Sequence, residues 1–423
     1  MRAFFISMDS ISINTQFDHL FRHSYGRLVA TLVNKFGFNH IESIEDSVQE
    51  ALIKGMQVWA YKSVPEDPTA WLLTVAKNKM LDINRRNKQL ATITANINES
   101  SYVEKPSVSH LDHTIIDDQL RMIFACCHPN LTQENQIILT LKLVAGFHNR
   151  EVARALLKNE ETVAKAFTRA KKKFRDSNLS LTIPFEIGLS SRLNIVLKTI
   201  YLLFSEGYAA SSGEEPIKRD LCFEAIRLAL LLRENKFCDR PNLNALIALM
   251  CFHTSRFDAR INANDEFVDL GNQDRNLWDQ ELITIGRTYL SKATQGPEQP
   301  TDYLFQALIS FYHCTAKSFE TTDWQSILKL YDLKLKHAYT PLIELNRMVP
   351  YYQIHGAEKT YNLLQIYSRK DHAILDSLYY ALKAQLLTDM NRIDDAIESY
   401  DKAVILAKNE TERRHLKRKK NRL

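Results

Sequence analysis

No stretch of the 423-residue chain approaches the ~20 uncharged apolar residues that a membrane-spanning helix requires. The apolar run within Met1-Arg-Ala-Phe-Phe-Ile-Ser-Met-Asp9 is too short for a signal peptide, so a soluble, cytoplasmic protein is expected. The six cysteines, Cys126, Cys127, Cys222, Cys238, Cys251 and Cys314, form no Cys-x-x-Cys pair and no disulfide-framework spacing, which fits a reducing compartment and buried thiols. Cys126-Cys127-His128 and Cys251-x-His253 are poor metal ligands, because neighbouring side chains on a helix point about 100° apart. Strand-like alternation is scarce, and there is no Gly-x-x-x-x-Gly-Lys phosphate loop, no paired carboxylates and no nucleophile motif. The expectation is therefore an all-α protein that is not an enzyme, with no catalytic residue, no metal and no cofactor.

What is present is charge, unevenly distributed. Lys and Arg outnumber Asp and Glu 23 to 19 over residues 1–176, are outnumbered 25 to 31 over 177–412, and stand at 7 to 0 over 413–423. Within the first block, Asn149 to Lys173 reads as a short helix, a turn of three to four residues and a second helix ending in a run of cations. Val152, Ala153, Leu156, Val163, Ala164 and Phe167 recur at helical spacing and can bury one face, leaving Lys165, Thr168, Arg169 and Lys172 outside it. Thr162 to Arg175 carries six cations and no carboxylate, while Glu160 and Glu161 occupy the first turn, where the helix dipole favours them. That is the layout of a helix-turn-helix whose second helix meets DNA; the alternative is a helical hairpin with a solvated basic face.

Two more helices lie upstream. Ser43 to Trp59 has an acidic outer face of Glu45, Asp46, Gln49 and Glu50, which suits a basic protein partner better than DNA. Asp67-Pro68 opens a helix whose buried stripe is Trp71, Leu72, Val75, Ala76, Met80 and Ile83, leaving Lys77, Asn78, Lys79, Asn84, Arg85 and Lys88 available to a polyanion. Trp59 and Trp71 read as core.

The order Glu-Asp-x-Val-Gln-Glu-Ala (Glu45 to Ala51), then Pro-x-Ala-Trp-Leu-x-x-Val-Ala-x-Asn-x-x-x-Asp (Pro68 to Asp82), then the helix-turn-helix resembles a bacterial extracytoplasmic-function (ECF) sigma factor of the sigma-70 family. The resemblance implies sigma region 2 over residues 1–88, a flexible linker over 89–118 and sigma region 4 over 119–176. It also implies core RNA polymerase and promoter DNA as partners. By position, Asp46, Gln49 and Glu50 would face the polymerase clamp. The loop Ser63 to Asp67 with Asn78, Lys79, Asp82, Arg85 and Arg86 would recognise and open the minus-10 element, and Thr162, Lys165, Arg169 and Lys172 would read the minus-35 element.

Residues 177–423 are too long for a tail and read as helical, with one stripe of Leu193, Val196, Leu197, Ile200, Leu203 and Phe204 and another of Phe223, Ile226, Leu230 and Leu231. A helical extension is expected over 177–295. Tetratricopeptide-like helix pairs are expected over 296–423, with Tyr380, Ala384, Leu387, Ala396, Tyr400 and Ala403 on the alternating large and small positions. Gly207 to Glu215 and Asp269 to Trp278 resemble signatures of the subgroup of these sigma factors with a long extension. The basic tail Arg413 to Arg422 is either a nucleic-acid arm or a frayed, solvated helix end. The acidic extension is expected to contact the DNA-reading helices or polymerase and so control the sigma modules. Two other readings stay open: a one-component helix-turn-helix regulator with a helical sensor, and an enzyme whose helical extension assembles a site from distant residues.

Overall fold

The computed structural model describes residues 13–59, 61–92, 118–156, 158–176, 187–208, 217–262, 267–295, 300–370, 375–407 and 410–423. The fold is all-α: among the described residues no strand forms, and a single antiparallel bridge joins Ile261 and Phe267. No helix among them is long and apolar enough to cross a membrane. The chain divides into two compact units, one drawn from the residues up to 206 together with Phe223–Cys238, the other from Gly207–Cys222 and the residues from Asp239 onward. The expected boundary at residue 176 thus lies inside the first unit. The expected linker falls largely in 93–117, outside the described residues, as do 209–216 of the Gly207 segment.

The first unit contains α1 (Ile13–Phe36), α2 (Ile41–Trp59), α3 (Pro68–Thr92), α4 (118–126), α5 (Gln133–Leu143), α6 (Asn149–Ala155) and α7 (Glu160–Asp176), with most of α8 (Ile187–Tyr208) and α9 (Arg219–Glu234). Helices α1, α2 and α3 pack on one another. Leu28, Val29, Leu32 and Val33 of α1, Ile41, Ile44, Val48 and Ala51 of α2, and Leu72, Ala76 and Met80 of α3 are all buried, each set at i, i+3, i+4 spacing. Gly26 permits the close approach of α1 to the end of α5: a Cβ there would sit 1.7 Å from the Val144 carbonyl oxygen. Asp67 caps α3 by accepting from the Ala70 N–H at 2.9 Å, with Pro68 at the first position, as the sequence predicts.

The α8 stripe predicted from sequence is buried throughout. The α9 stripe is not: Phe223 is exposed, Ile226 and Leu230 are half-buried, and the buried face is Ala225, Leu228, Ala229 and Leu232, with Leu231 beside it. Leucine recurs around the whole circumference of this helix, so choosing the largest side chains picked the wrong face, while the alanines mark the one that is closely approached.

In the second unit α10 (Pro241–Thr254) is buried almost all round and packs on α12 (Gln280–Ala293) and α13 (Asp302–Thr315). The short α11 (Phe257–Arg260) follows α10. Then α14 (Trp324–His337), α15 (Pro341–His355), α16 (Ala357–Ser368), α17 (Ser377–Asp389), α18 (Ile393–Leu406) and α19 (Glu410–Lys420) each pack on the preceding helix, the layout of a chain of helix pairs. Ala384, Tyr400 and Ala403 form one buried cluster with Ala407 and Leu416. The basic tail is neither frayed nor a free arm. His415 Nε2 and Lys419 Nζ lie 3.0 and 2.8 Å from the Asp269 carboxylate, Lys420 reaches Asp401 at 2.5 Å, and Arg418 donates to the Phe267 carbonyl oxygen at 3.2 Å. Burial opposes ionisation of Asp269, but the hydrogen bonds from His415 and Lys419 prevail and hold its carboxyl well below the usual carboxylate range.

Candidate functional site

Helix α2 buries Ile44, Ser47, Val48, Ala51 and Leu52 and turns Asp46, Gln49 and Glu50 to solvent. Ile53 and Met56 continue the same exposed face at i+3, i+4 and i+7 spacing; Ile53 is 55% exposed. Sequence reasoning followed the charges and missed this apolar continuation, although the spacing alone could have shown it. Glu50 lies 2.7 Å from Lys79 Nζ on α3, which joins one residue predicted to contact polymerase to one predicted to contact DNA. The pair is exposed and contributes about 0–1 kcal/mol, so either partner can be given up to a ligand.

On α3, Asn78, Asp82, Arg85 and Arg86 are exposed, with Arg85 3.9 Å from Asp82. Lys77 and Asn84 are half-buried, and the Lys88 side chain is outside the described residues. Trp59 is buried, the core role predicted for it, while Trp71, predicted to share that role, is half-buried with its ring 5.1 Å from that of Trp59. Between α2 and α3 the Ser63 to Asp67 loop is largely exposed, and next to it Tyr61 is 93% exposed. An aromatic face open to solvent beside a basic helix is a platform on which a base can stack; Tyr61 was not among the predicted residues.

Helices α6 and α7 are joined by residues 156–159. Glu151 accepts from the His148 N–H at 2.9 Å to cap α6, and Asn159 accepts from the Thr162 N–H at 2.7 Å to cap α7. Val152, Ala153, Val163, Ala166, Phe167, Ala170 and Phe174 are buried. Lys165, Arg169 and Lys172 are exposed and Thr162 is half-buried; Lys165 is held by Glu161 one turn back, at 2.6 Å.

The other flank of α7 is engaged with α2. Lys171 Nζ lies 2.6 Å from Glu45 with the two side chains only 14% and 13% exposed, Arg175 lies 3.5 Å from Glu42, and the Phe174 ring is 3.9 Å from that of Phe38. The Tyr25 hydroxyl donates to Glu45 at 3.3 Å, and burial, then the Glu45 charge, pushes its pKa up. Lys142 lies over the Phe167 ring, and burial lowers its pKa while Glu45 raises it. Two of the six cations read as a DNA-facing run are therefore structural, and Glu45 is an internal partner rather than part of the open acidic face.

The six cysteines are buried and none is in a disulfide bond, and among the described residues no group of three or more His, Cys, Asp or Glu side chains is placed to hold a metal ion.

The sigma-70 region 2 family matches residues 21–89, covering the second half of α1, all of α2, most of α3 and the loop between α2 and α3. Residues 21–89 thus form a domain of sigma-70 region 2 type, which points to sigma-factor-like association with RNA polymerase, and a helical extension accompanies it. Part of that extension, residues 192–294, matches a family of unknown function, DUF6596. Over 387 residues the chain is 32% identical to an uncharacterized protein of Rhizobium meliloti (strain 1021), covering 90% of each, and it belongs to one family with that protein. No solved structure matches the chain.

Proposed function

We propose that the protein is a promoter-specificity subunit of bacterial RNA polymerase of the extracytoplasmic-function type, with no chemistry of its own. The observation that carries this reading is the open face of α2. Asp46, Gln49 and Glu50 lead into exposed Ile53 and Met56, an acidic-to-apolar surface suited to a basic protein partner, within the segment that matches sigma-70 region 2. The exposed residues Asn78, Asp82, Arg85 and Arg86, with half-buried Lys79 and the 61–67 loop, would engage the minus-10 element. Helices α6 and α7 act as the region 4 helix-turn-helix, with Thr162, Lys165, Arg169 and Lys172 turned to the minus-35 element. The helices from α13 onward are read as tetratricopeptide-like pairs, and the extension controls the sigma modules by contact with them or with polymerase.

The test is co-elution of the full chain with bacterial core RNA polymerase, comparing wild type with Asp46→Arg, Glu50→Arg. Because both side chains are exposed, the double variant should keep its circular dichroism spectrum and melting temperature and lose polymerase. If the wild type does not co-elute, the chain is a recruited regulator or an enzyme instead. If the variant binds as well as wild type, α2 is not the polymerase face.

A further inference from the structure

Among the described residues the second unit gathers three guanidiniums, Arg256 buried and Arg260 and Arg275 half-buried, with no ion-paired carboxylate, although the charge of Glu320 acts on Arg275. Arg256, in the turn after α10, is 8% exposed; its Nη2 donates to the Tyr208 hydroxyl at 2.9 Å and lies 3.0 Å from His253 Nδ1. Since a guanidinium only donates, that imidazole carries its proton on Nε2. Arg260 donates to the Tyr208 carbonyl oxygen, and its guanidinium lies 3.5 Å from the Tyr208 ring centroid and 4.9 Å from that of Phe267. Arg275 donates one nitrogen to the carbonyl oxygens of His313 and Ala316, each at 2.8 Å, and lies over the Trp278 ring at 4.4 Å. Among the described residues none of these three guanidiniums meets a carboxylate at ion-pair distance. An uncompensated buried charge costs several kcal/mol, so the arrangement calls for a negative partner.

Four nitrogens in this cluster have no hydrogen-bond partner although they are buried: the donors Arg256 Nε, Arg275 Nη2 and Trp278 Nε1, and His313 Nδ1, which donates in one of the two neutral tautomers. The backbone brings them together. Ser255 Oγ lies 3.9 Å from Cys314 Sγ, which sets Arg256 beside His313, and the Asp279 N–H donates to the Ser255 carbonyl oxygen at 2.8 Å, which brings Trp278 to the same turn. Trp278 is itself only 4% exposed. The electrostatics agree: burial first, then the charges of Arg256 and Arg275, pushes the His313 pKa down to about 4, so at neutral pH this ring supplies a neutral N–H rather than a cation. His253 is lowered well below its ordinary value by burial and by Arg256 and Arg260.

We infer that this cluster is a binding site for a small oxyanion, a phosphate or carboxylate group received by Arg256 and Arg275 and fixed in orientation by the Trp278 and His313 N–H groups. Guanidinium forks match the oxygen geometry of either group, and charge-assisted hydrogen bonds in a dry site are the strong ones. Site, charge and orphaned donors belong to the second unit alone, so the inference stands independently of how the first unit meets polymerase or DNA.

The test is the melting temperature and titration calorimetry of the full chain at pH 7.5 with sodium phosphate, sodium malonate or sodium chloride at matched ionic strength. Phosphate or malonate should raise the melting temperature above the chloride control and bind at one site; which of the two does so names the group recognised. Arg256→Met should weaken that binding at least tenfold. Trp278→Phe, which keeps an aromatic ring at this position and removes the N–H with part of the indole, should show a smaller anion-dependent rise than wild type, each measured against its own chloride control. No rise over chloride with either anion overturns the inference, as does an equal rise in wild type, Arg256→Met and Trp278→Phe, which would place the anions elsewhere.

Discussion

Glu45 and Lys171 join α2 to α7 across 126 residues of sequence, and a double-mutant cycle with Glu45→Gln and Lys171→Met measures what that contact is worth. Breaking a buried ion pair costs about 3–5 kcal/mol, whereas an exposed pair contributes about 0–1 kcal/mol. At 2.6 Å, with side chains 14% and 13% exposed, this pair lies near the buried limit. Two neighbours soften the loss. The Tyr25 hydroxyl stays on Glu45 when Lys171 is removed, and Lys142, on which both charges act, still feels the Glu45 charge. The coupling energy should therefore fall to about 1.5–2.5 kcal/mol, below the buried value but above the surface one. Urea unfolding of the full chain gives the energies, and hydrogen exchange at α2 and α7 amides assigns the transition to the first unit. A coupling below about 0.5 kcal/mol would show that the contact does not hold these helices together and would refute the reasoning.

His313 titrates near its ordinary value of about 6.5 when unfolded but near 4 when folded. A lowered folded pKa means that stability is complete above the unfolded value and is lost as pH falls through the window between the two. This one group should cost about 2 kcal/mol at pH 5, with His253 adding in the same direction; His313→Asn should flatten the fall in melting temperature between pH 7 and pH 5, and an unchanged slope would count against the shift. A Cβ at Gly207 would lie 2.7 Å from Cys222 Sγ and 2.9 Å from the Cys222 backbone nitrogen, so Gly207→Ala should destabilise by about 1–3 kcal/mol in thermal unfolding. A neutral result would mean that the start of α9 yields freely.

Amphipathic elements were legible in the sequence. The predicted stripe of α8 is buried throughout, those of α3 and α6–α7 in part, since Trp71, Val75, Ile83, Leu156 and Ala164 are only half-buried, and the Asp67-Pro68 start is written in local capping chemistry. Where leucine runs around the whole helix, as in α9, periodicity lost the face. Charge was legible as charge but not as partnership: Lys171, Arg175, His415 and Lys419 look like solvated cations until the fold sets Glu45, Glu42 and Asp269 against them. The oxyanion cluster was hidden for the opposite reason, because a buried arginine has the same letter as an exposed one, and only packing shows that Arg256 is enclosed. Its neighbours Arg275 and Trp278 stand in the Asp269 to Trp278 segment, whose sequence resembles a signature but does not show which of its side chains are enclosed.

The internal ion pairs of α7 limit what this helix can offer to DNA. Six cations against phosphates would give a salt slope for this helix of about −5, at roughly −0.9 per phosphate contact. Lys171 and Arg175 are turned to Glu45 and Glu42, and Lys165 is held by Glu161 unless DNA displaces it. The slope that α7 contributes should then be about −3. In promoter binding by the reconstituted polymerase complex, Arg169→Ala and Lys172→Ala should each reduce the slope by about 1. Lys171→Met should leave it unchanged even where it lowers the stability of the first unit. Equal effects from all three would mean that α7 leaves α2 and presents its whole basic circumference to the duplex, and the buried pair would then be a contact of the free protein only.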